Sequence, residues 1–449
     1  MTDIRRDDPY ATARWWNGPV DPPRICVWEL TLACDLGCRH CGSRAGKARH
    51  DELTTAEALR TVGELADLGV REVTLIGGEA YLRDDWAEIA RAVTDAGMIC
   101  TMVTGGFDFD AFRIQEALAG GVARIGVSID GIGPTHDRLR GRIGSFEAAI
   151  AAAERIKATD QIGLSINTQI NRLSLPELEE IAHRIVALGA DHWQVQLTVA
   201  LGRAADRPDL LLQPFHMLAV MPLLDRIKRT ILDPGGVQLV PGNNVGYFGR
   251  YESLLRFGGE QGHVWSGCKA GQAALGLEAD GGLKGCPSLP SEAYRGGTVR
   301  DTPVGTLWRE SSTIRKLGER TRQDLWGHCA QCDHADRCMG GCTWTSHALF
   351  GRPGNNPFCY HRAETLAAQG LRERISLVTA APGRPFDHGM FSLTEEASDA
   401  PLAAGEDLVA ALALRRLASP AQGAGAWSES AVRRATMRTK VARGAEPVA

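Results

Sequence analysis

The sequence of 449 residues lacks any run of 18 or more apolar residues, so we expect no membrane-spanning helix. Its first residues, "MTDIRRDDPYATARWW", contain no apolar segment of the kind that signal peptides carry, and we therefore expect a cytoplasmic protein. Strong charge of either sign is also missing, because the formal net charge is only −4. This balance gives no indication of the basic surface typical of proteins that bind nucleic acid or membranes.

Cysteine, by contrast, is abundant, with twelve residues in the chain. Without an export signal these thiols are not expected to pair as disulfides, since the cytosol keeps them reduced. Clustered thiols in such a protein more often bind metal. Three lie close together near the N-terminus and seven lie between residues 268 and 359, whereas Cys26 and Cys100 sit in apolar strands and are expected in the core.

Strand-like and helix-like segments alternate through the first 200 residues. Strands are predicted at 24–32, 72–78, 98–106, 123–131, 162–170 and 192–199. Helices are predicted between them at 54–69, 84–97, 108–120, 145–158 and 174–189. Such alternation predicts right-handed βαβ units and a parallel sheet. Both an open doubly wound sheet and a full or partial barrel are compatible with this pattern.

The first cysteine group, Cys34-x3-Cys38-x2-Cys41, follows the first predicted strand. Four cysteines saturate a [4Fe–4S] cluster, so three would leave one iron free, and an open coordination position marks a metal that does chemistry. Two other interpretations stay open from the spacing alone. One is a zinc site completed by His40 or a distant ligand, and the other is a set of unligated thiols.

With "GGE" at 77–79 after the second strand, this loop resembles the cluster loop of the radical S-adenosylmethionine (SAM) superfamily. The resemblance implies that the three cysteines hold a [4Fe–4S] cluster, while Gly77, Gly78 and Glu79 bind the methionyl ammonium of SAM. Glycines allow close backbone approach, and a carboxylate accepts a charge-assisted hydrogen bond. The sequence departs from the family pattern at His40, where an aromatic residue is common, and at Ala80, where proline is usual.

Further SAM contacts are implied at the ends of the third and fourth strands, where ligands collect in parallel α/β folds. By resemblance, Thr104 lies near the adenosine, and Ser128 and Asp130 lie near the ribose or the methionyl carboxylate. Asn167 and Arg172, beside the fifth strand, are weaker candidates. Ser and Asp are also frequent turn and cap residues at strand ends.

The second cysteine group resembles the SPASM domain, a C-terminal extension of many radical SAM enzymes that carries auxiliary [4Fe–4S] clusters. The resemblance implies an outer cluster fully ligated by Cys329, Cys332, Cys338 and Cys359. It also implies an inner cluster held by only three residues, Cys268, Cys286 and Cys342. The fourth inner position is open, or is filled by substrate or by Asp280, Glu278 or His263. A structural zinc ribbon around 329–342 is the alternative.

The implied fold is α/β, a partial (β/α)6 TIM-like barrel followed by a small cysteine-rich SPASM domain. We predict an N-terminal extension (1–22), a radical SAM core barrel (23–235), a linker (236–267), an auxiliary-cluster domain (268–370) and a largely flexible C-terminal extension (371–449). Within that extension a weak helix is predicted at 408–418, because the sequence is alanine-rich with few aromatic residues and ends in a basic tail.

The implied activity is reductive cleavage of SAM to a 5′-deoxyadenosyl radical, which abstracts hydrogen from a C–H bond. The expected substrate is a ribosomally made peptide or protein that is crosslinked or oxidised. Tailoring of a small molecule or cofactor precursor, of haem or quinone type, is the alternative. Pro287 stands where sulfatase-maturing relatives have an aspartate, so that activity is not expected. An iron–sulfur electron carrier or redox sensor would lack the "GGE" motif or saturate the first cluster.

The resemblance also implies partners. A reductant protein of flavodoxin or ferredoxin type would supply electrons, and the auxiliary clusters would accept an electron from the substrate or ligate it. Only some 23 residues precede the first strand, which leaves no room there for the leader-binding domain of many peptide-modifying relatives. A separate leader-peptide recognition protein is therefore expected, and neither nucleic acid nor membrane is.

Overall fold

The computed structural model of the protein describes residues 22–257 and 265–400. The predicted helix at 408–418 and almost all of the predicted N-terminal extension lie outside these residues. So does His263, one of the candidates for the fourth inner ligand.

One large sheet organises the described chain. Its strands are β1 Ile25–Glu29, β2 Glu72–Ile76, β3 Ile99–Thr104, β4 Arg124–Ser128, β5 Gly163–Ile170, β6 His192–Leu197, β7 Gln238–Pro241, β8 Ala274–Leu277, β9 Gly282–Lys284 and β10 Arg295–Thr298. The spatial order is β10-β9-β8-β1-β2-β3-β4-β5-β6-β7. The strands from β1 to β7 are parallel neighbours, β8 runs parallel along the other side of β1, and β9 and β10 continue antiparallel.

Helices connect the parallel strands and cover their outer face. Those of the barrel half are α1 Thr55–Leu68, α2 Trp86–Asp95, α3 Ala111–Ala119, α4 Pro134–Arg140, α5 Ser145–Lys157, α6 Leu178–Ala187, α7 Met217–Ile227 and α8 Glu252–Phe257. Those that follow are α9 Ser291–Tyr294, α10 Val304–Glu310, α11 Ser312–Gly318, α12 His328–Gln331, α13 Ala335–Cys338, α14 Thr343–Phe350 and α15 Tyr360–Ala367. Across the described ranges, none of these helices has both the length and the apolarity that a bilayer crossing requires.

Local sequence signals account for the elements. Helix α1 begins with a capping box, in which the Thr54 hydroxyl accepts from the Glu57 amide and the Glu57 carboxylate accepts from the Thr54 amide. It buries Val62 and Leu65 against the sheet at helical spacing.

The inner face of the sheet is polar on one side of the barrel. Burial alternates along β5, where Leu164 and Ile166 are fully buried while Ser165 and Asn167 face a central cavity. β6 alternates in the same way. A strand with period-two alternation presents one face to the core and the other to a different environment, and here that environment is the interior of the barrel.

The predicted α/β class and its barrel of parallel strands are confirmed, with all six predicted strands in chain order. The sheet is nevertheless larger than six strands. Residues 236–267, expected to be a linker, contain β7 and α8, and the region after 268 adds β8, β9 and β10 to the barrel sheet. These strands have only three or four residues each, too short for a sequence period to be recognised.

The described part of the C-terminal extension, residues 371–400, is also ordered. β11 (Leu371–Thr379) and β12 (Met390–Ala397) pair as an antiparallel hairpin, in a region expected to be largely flexible. The Gln213 side chain bonds the backbone N–H and C=O of Ile375, and Glu373 forms a buried ion pair with Arg362. Gln213 lies 162 residues from Ile375 in the sequence, and Arg362 meets Glu373 from another element, the helix α15, so the local composition did not indicate order.

We predict that Glu373→Gln destabilises the protein by about 3 kcal/mol, because it leaves the buried Arg362 guanidinium without its counter-charge. Both side chains of the pair are only 3% exposed. Thermal unfolding of the full chain measures this. Glu395→Gln is the matched control, since Glu395 is the cross-strand partner of Glu373 in the register but is exposed to solvent. Equal unfolding temperatures for the two variants would contradict the assignment.

Candidate active site

A cavity of about 480 Å³ occupies the interior of the barrel. The inward-facing residues of β1 line it, together with polar side chains from β5 and β6. Six cysteines from two distant parts of the sequence also line it: Cys34, Cys38, Cys41, Cys268, Cys286 and Cys342. The volume is typical of a small-molecule or cofactor site.

The first cysteine loop is held against the end of β2 by backbone contacts. The Gly78 N–H donates to Thr31 O and the Glu79 N–H donates to Ala33 O, both at 2.8 Å. A Cβ at Gly77 would overlap the Thr31 carbonyl, and one at Gly78 would overlap the Ala33 carbonyl. The two glycines are therefore required for close packing against the cysteine loop, rather than only for backbone approach to a ligand as the sequence suggested.

Glu79 is buried at the cavity wall. Its carboxylate accepts hydrogen bonds from the Thr104 hydroxyl and the Gly105 N–H, both at 2.6 Å. Burial, followed by the nearby Asp35, raises the pKa of Glu79 to about 8 against the opposing effect of these bonds. Donor atoms of Cys34, Asp35 and Glu79 lie within 4.8 Å of one another. A cationic ligand here would restore the charged carboxylate.

Asp130 is fully buried and does not line the cavity. Its carboxylate lies 2.6 Å from Arg140 Nη2 and 2.9 Å from His40 Nε2, and it also accepts from the Gln169 N–H. Burial opposes ionisation, but Arg140 and then His40 lower the pKa of Asp130 below its ordinary value. The structure thus places Asp130 behind the wall, where it positions His40 and Arg140 rather than presenting an open carboxylate.

Two other predicted contact residues do line the cavity. Thr104 and Ser128 reach it from the ends of β3 and β4, and the Thr104 hydroxyl is already used by Glu79. Asn167 also lines the cavity, from β5.

Arg140 was missed by the sequence analysis and connects Asp130 to the first cysteine loop. Its Nη1 donates to Cys38 Sγ at 3.7 Å. On the other side of the loop, Arg203 donates to the carbonyls of Cys38 and Ala45. Arginine carries no sequence signature for such a role, because its partners come together only in the folded chain.

The inner thiols lie beside β8. Cys286 and Pro287 pack over the inward face of that strand, since a Cβ at Gly276 would lie 2.5 Å from Pro287 Cα. Cys268, Cys286 and Cys342 line the same cavity, and burial, then Cys268, raises the pKa of Cys342 to about 12. Of the predicted fourth ligands, Glu278 is paired with Lys284 and Asp280 with Arg295, and neither lines the cavity.

The outer thiols surround a second, smaller cavity of about 20 Å³. It is lined by Cys329, Cys332, Cys338 and Cys359, the four residues that the family resemblance implies as ligands of the outer cluster. Arg362 Nη1 donates to Cys329 Sγ at 3.9 Å, and His334 stacks on Phe248 beside the site with ring centroids 4.0 Å apart.

Most of the remaining cavity wall was not predicted, although Asn167 was among the weaker candidates. Carboxamide side chains face the cavity from β5, β6 and the segment after β7: Asn167, Gln169, Gln194, Gln196, Asn243 and Asn244. Their alternation with apolar residues in "SINTQI" and "HWQVQL" was a usable signal. Trp344 and Phe386 close another side. Phe386 belongs to the turn of the C-terminal hairpin. Arg44, in the cysteine loop, donates to the Asp387 carboxylate and so holds this turn against the loop.

The donor sets fit iron–sulfur clusters and SAM. Burial raises the pKa of Cys38 to about 11 and of Cys286 to about 11, so these groups are neutral thiols unless a metal takes them as thiolates. Thiolates are the ligands that iron–sulfur clusters use. Glu79, buried beside Cys34 with no side-chain cation bonded to it among the described residues, suits the ammonium of SAM.

Comparisons with known proteins agree with this chemistry. Residues 28–199 match the family model of the Radical SAM superfamily. The AdoMet-dependent heme synthase of Methanosarcina barkeri is 30% identical over 76% of this chain and 98% of its own length. The PqqA peptide cyclase of Ruegeria pomeroyi is 29% identical over 78% of this chain and 92% of its own.

A similar fold is seen in the crystal structure of Streptococcus suis SuiB bound to S-adenosylmethionine. The TM-score is 0.59 at 15% sequence identity, over 75% of this chain and 76% of that one. At this identity the likeness concerns the fold alone.

We predict that Gly78→Ala displaces the first cysteine loop, lowers the iron content and destabilises the protein by about 1–3 kcal/mol, because the new methyl group overlaps Ala33 O. Iron analysis and thermal unfolding measure both effects. Gly63→Ala, in helix α1, is the control, since its Cβ meets nothing within 4 Å and the change favours the helix. A Gly78→Ala protein with the parent's iron content and unfolding temperature would refute the packing role.

Proposed function

The chain belongs to the radical SAM superfamily, and on that premise we propose that it removes a hydrogen atom from a peptide bound in the 480 Å³ cavity. One observation carries the proposal. The thiols of the first loop, the inner thiols and the buried Glu79 all line this single cavity. Such a site can place a substrate between a radical source and a second redox centre.

As a member of this family the enzyme uses a [4Fe–4S] cluster and SAM. When bound, the reduced cluster and SAM supply a 5′-deoxyadenosyl radical that takes a hydrogen atom from the substrate. Cys34, Cys38 and Cys41 hold the cluster as thiolates, and Arg140 stabilises the Cys38 thiolate by donating to its sulfur.

The protein's other contribution is to position SAM and to exclude water. Glu79 accepts hydrogen bonds from the SAM ammonium while Thr104 and Gly105 fix its orientation. Gly77 and Gly78 keep Glu79 beside the cysteine loop. Ser128 contributes a hydroxyl to the cavity, and Asp130 acts from behind the wall through Arg140 and His40. Trp344 and Phe386 shield the cavity from solvent.

The polar side chains that line the cavity favour a peptide substrate. Asn244 already bonds the backbone N–H and C=O of Leu197. The other carboxamides offer a donor and an acceptor each, which matches the N–H and C=O of peptide groups. Of the four Lys and Arg side chains that line the cavity, Arg140 and Arg203 already bind the cysteine loop. A substrate with several carboxylates would need more cationic partners. The PqqA peptide cyclase, a relative whose name gives a peptide substrate, also favours a peptide as the substrate of this chain.

The other cysteines hold auxiliary clusters in this proposal. Cys329, Cys332, Cys338 and Cys359 fully ligate the outer one. Cys268, Cys286 and Cys342, which line the cavity, would hold the inner one, and three thiolates would leave one of its iron atoms free for another ligand. The auxiliary-cluster domain begins at residue 268, where its first strands extend the barrel sheet. A separate protein presents the peptide leader.

Tailoring of a cofactor precursor is the second candidate. It is favoured by the AdoMet-dependent heme synthase of M. barkeri, which is similar along 98% of its length. Trp344 and Phe386 offer aromatic surface for a flat ring system. A tetrapyrrole precursor and a panel of candidate peptides, each tested for stimulation of 5′-deoxyadenosine formation, distinguish the two.

We predict that the anaerobically reconstituted protein, given SAM and dithionite, forms 5′-deoxyadenosine, and that a Cys34→Ala, Cys38→Ala, Cys41→Ala triple variant does not. The parent should contain about twelve iron atoms and the variant about four fewer, as expected for loss of one [4Fe–4S] cluster. Cys100→Ala is the control, because Cys100 is a buried core thiol outside the three sets. Equal 5′-deoxyadenosine formation by parent and triple variant would overturn the proposal.

We also predict that Glu79→Gln weakens SAM binding about tenfold to a hundredfold without loss of iron, since it removes a charge-assisted hydrogen bond. Equilibrium dialysis with labelled SAM measures the affinity. Glu88→Gln, an exposed substitution of the same kind on α2, is the control. Unchanged affinity in the Glu79 variant would exclude a direct bond to the ammonium.

A further inference from the structure

A buried ion pair connects the C-terminal hairpin to the helix that follows the last outer cysteine. Nε of Arg362, on α15, donates to the Glu373 carboxylate at 2.7 Å, and Nη2 donates to the other oxygen of the same carboxylate. Two parallel bonds of this kind fix the plane of the guanidinium. Breaking such a pair is costly, but replacing the whole pair by apolar residues is often not, so stability alone does not account for it.

The third guanidinium nitrogen of Arg362 faces the outer thiols. Nη1 donates to Asn355 Oδ1 at 2.6 Å and to Cys329 Sγ at 3.9 Å. Arg362 also lines the small cavity that the four outer thiols surround. Burial raises the pKa of the Cys329 thiol, and the Arg362 guanidinium opposes that rise. The sulfur of Cys329 therefore has a buried, positively charged donor beside it, oriented by Glu373.

The first cysteine loop contains the same arrangement. Nη1 of Arg140 donates to Cys38 Sγ at 3.7 Å, while Nη2 lies 2.6 Å from the fully buried carboxylate of Asp130. Arg140 ends α4 and Arg362 lies in α15, so the two arrangements are built from unrelated parts of the chain. A carboxylate, an arginine and a cysteine sulfur in sequence at two separate thiol sets indicate a role of the arginine toward the sulfur.

The physical effect of such a contact follows from the charge of the thiolate. Hydrogen bonds to the ligand sulfurs, together with net charge and solvent exposure, set the reduction potential of an iron–sulfur cluster. A guanidinium N–H beside a ligand sulfur stabilises the extra negative charge of the reduced cluster more than it stabilises the oxidised cluster. A cluster with this bond is therefore easier to reduce than the same cluster without it.

We propose that Arg362 raises the reduction potential of the outer cluster by donating an N–H···S hydrogen bond to Cys329, and that Glu373 is the positioning residue that orients it. The inference rests on the proposed function, which assigns a cluster to the outer thiols. Glu373 lies beyond residue 370, where the auxiliary-cluster domain was expected to end. The hairpin of β11 and β12 thereby completes the surroundings of the outer cluster.

The test measures the potential of the outer cluster in full-length protein that lacks the three cysteines of the first loop. Only the auxiliary clusters remain in this background after anaerobic reconstitution. Redox titration followed by electron paramagnetic resonance gives their potentials without SAM or substrate. The outer cluster is identified as the signal that is lost when Cys329→Ala and Cys332→Ala are added.

The main variant combines Arg362→Met with Glu373→Gln, which removes both charges and leaves neither buried and unpaired. Its control combines Arg315→Met with Glu319→Gln, an ion pair at α11 whose side chains are 50% and 58% exposed. Arg362→Lys is the conservative variant, because lysine keeps a cation for Glu373 but lacks the planar fork that serves a second acceptor. It also provides the test if the main variant does not fold.

We expect the main variant to keep the iron content of the background and to lower the potential of the outer cluster by at least about 59 mV, a tenfold change for one electron. Arg362→Lys should shift this potential in the same direction. The potential of the inner cluster, and both potentials in the control, should stay at the background values.

A background value of the outer potential in either Arg362 variant, a shift to higher potential, or an equal shift in the control would overturn the inference. Outer thiols that hold no redox-active iron would overturn it as well. Failure of the proposed function is seen separately, because it would abolish 5′-deoxyadenosine formation by the parent and leave the titration of the auxiliary clusters unaffected.

Discussion

The backbone contact between the first cysteine loop and the end of β2 is the constraint on which the site depends. Gly77 and Gly78 lie so close to the Thr31 and Ala33 carbonyls that no side chain fits, and this closeness sets Glu79 beside Cys34. The thiols of the first loop and a buried carboxylate are thereby fixed at one cavity wall. Buried polar groups in such an arrangement stabilise a single geometry because each would be costly to leave unpaired.

A second long-range pairing brings another group of thiols to the site. β8 runs parallel to β1, so the chain after residue 268 continues the barrel sheet instead of forming a detached module. The inner thiols consequently line the same cavity as the first loop, although more than 200 residues separate them in sequence. The hairpin of β11 and β12 completes the enclosure, since its turn brings Phe386 to the cavity and is held to the cysteine loop by the Arg44–Asp387 ion pair.

The sequence analysis predicted those features of the fold and the site that a local sequence pattern encodes. The six longer parallel strands follow from periodicity, whereas the division of the later cysteines into two sets came from the family resemblance. Short strands such as β7 and β9 were missed, since three or four residues carry no period. The role of Asp130 differed because its partners, Arg140 and His40, meet it only through tertiary contacts. The hairpin of β11 and β12 was not predicted for the same reason, because Gln213 and Arg362 contact it only in the folded chain.

The central claim is that the three thiols of the first loop leave one coordination position that SAM occupies beside Glu79. Electron–nuclear double resonance of the reduced, reconstituted protein, with SAM isotopically labelled at its amino nitrogen, tests it most directly. The account predicts a hyperfine coupling to the labelled nitrogen from one cluster, and its absence from protein lacking Cys34, Cys38 and Cys41. A reduced, SAM-saturated protein with no such coupling would contradict it.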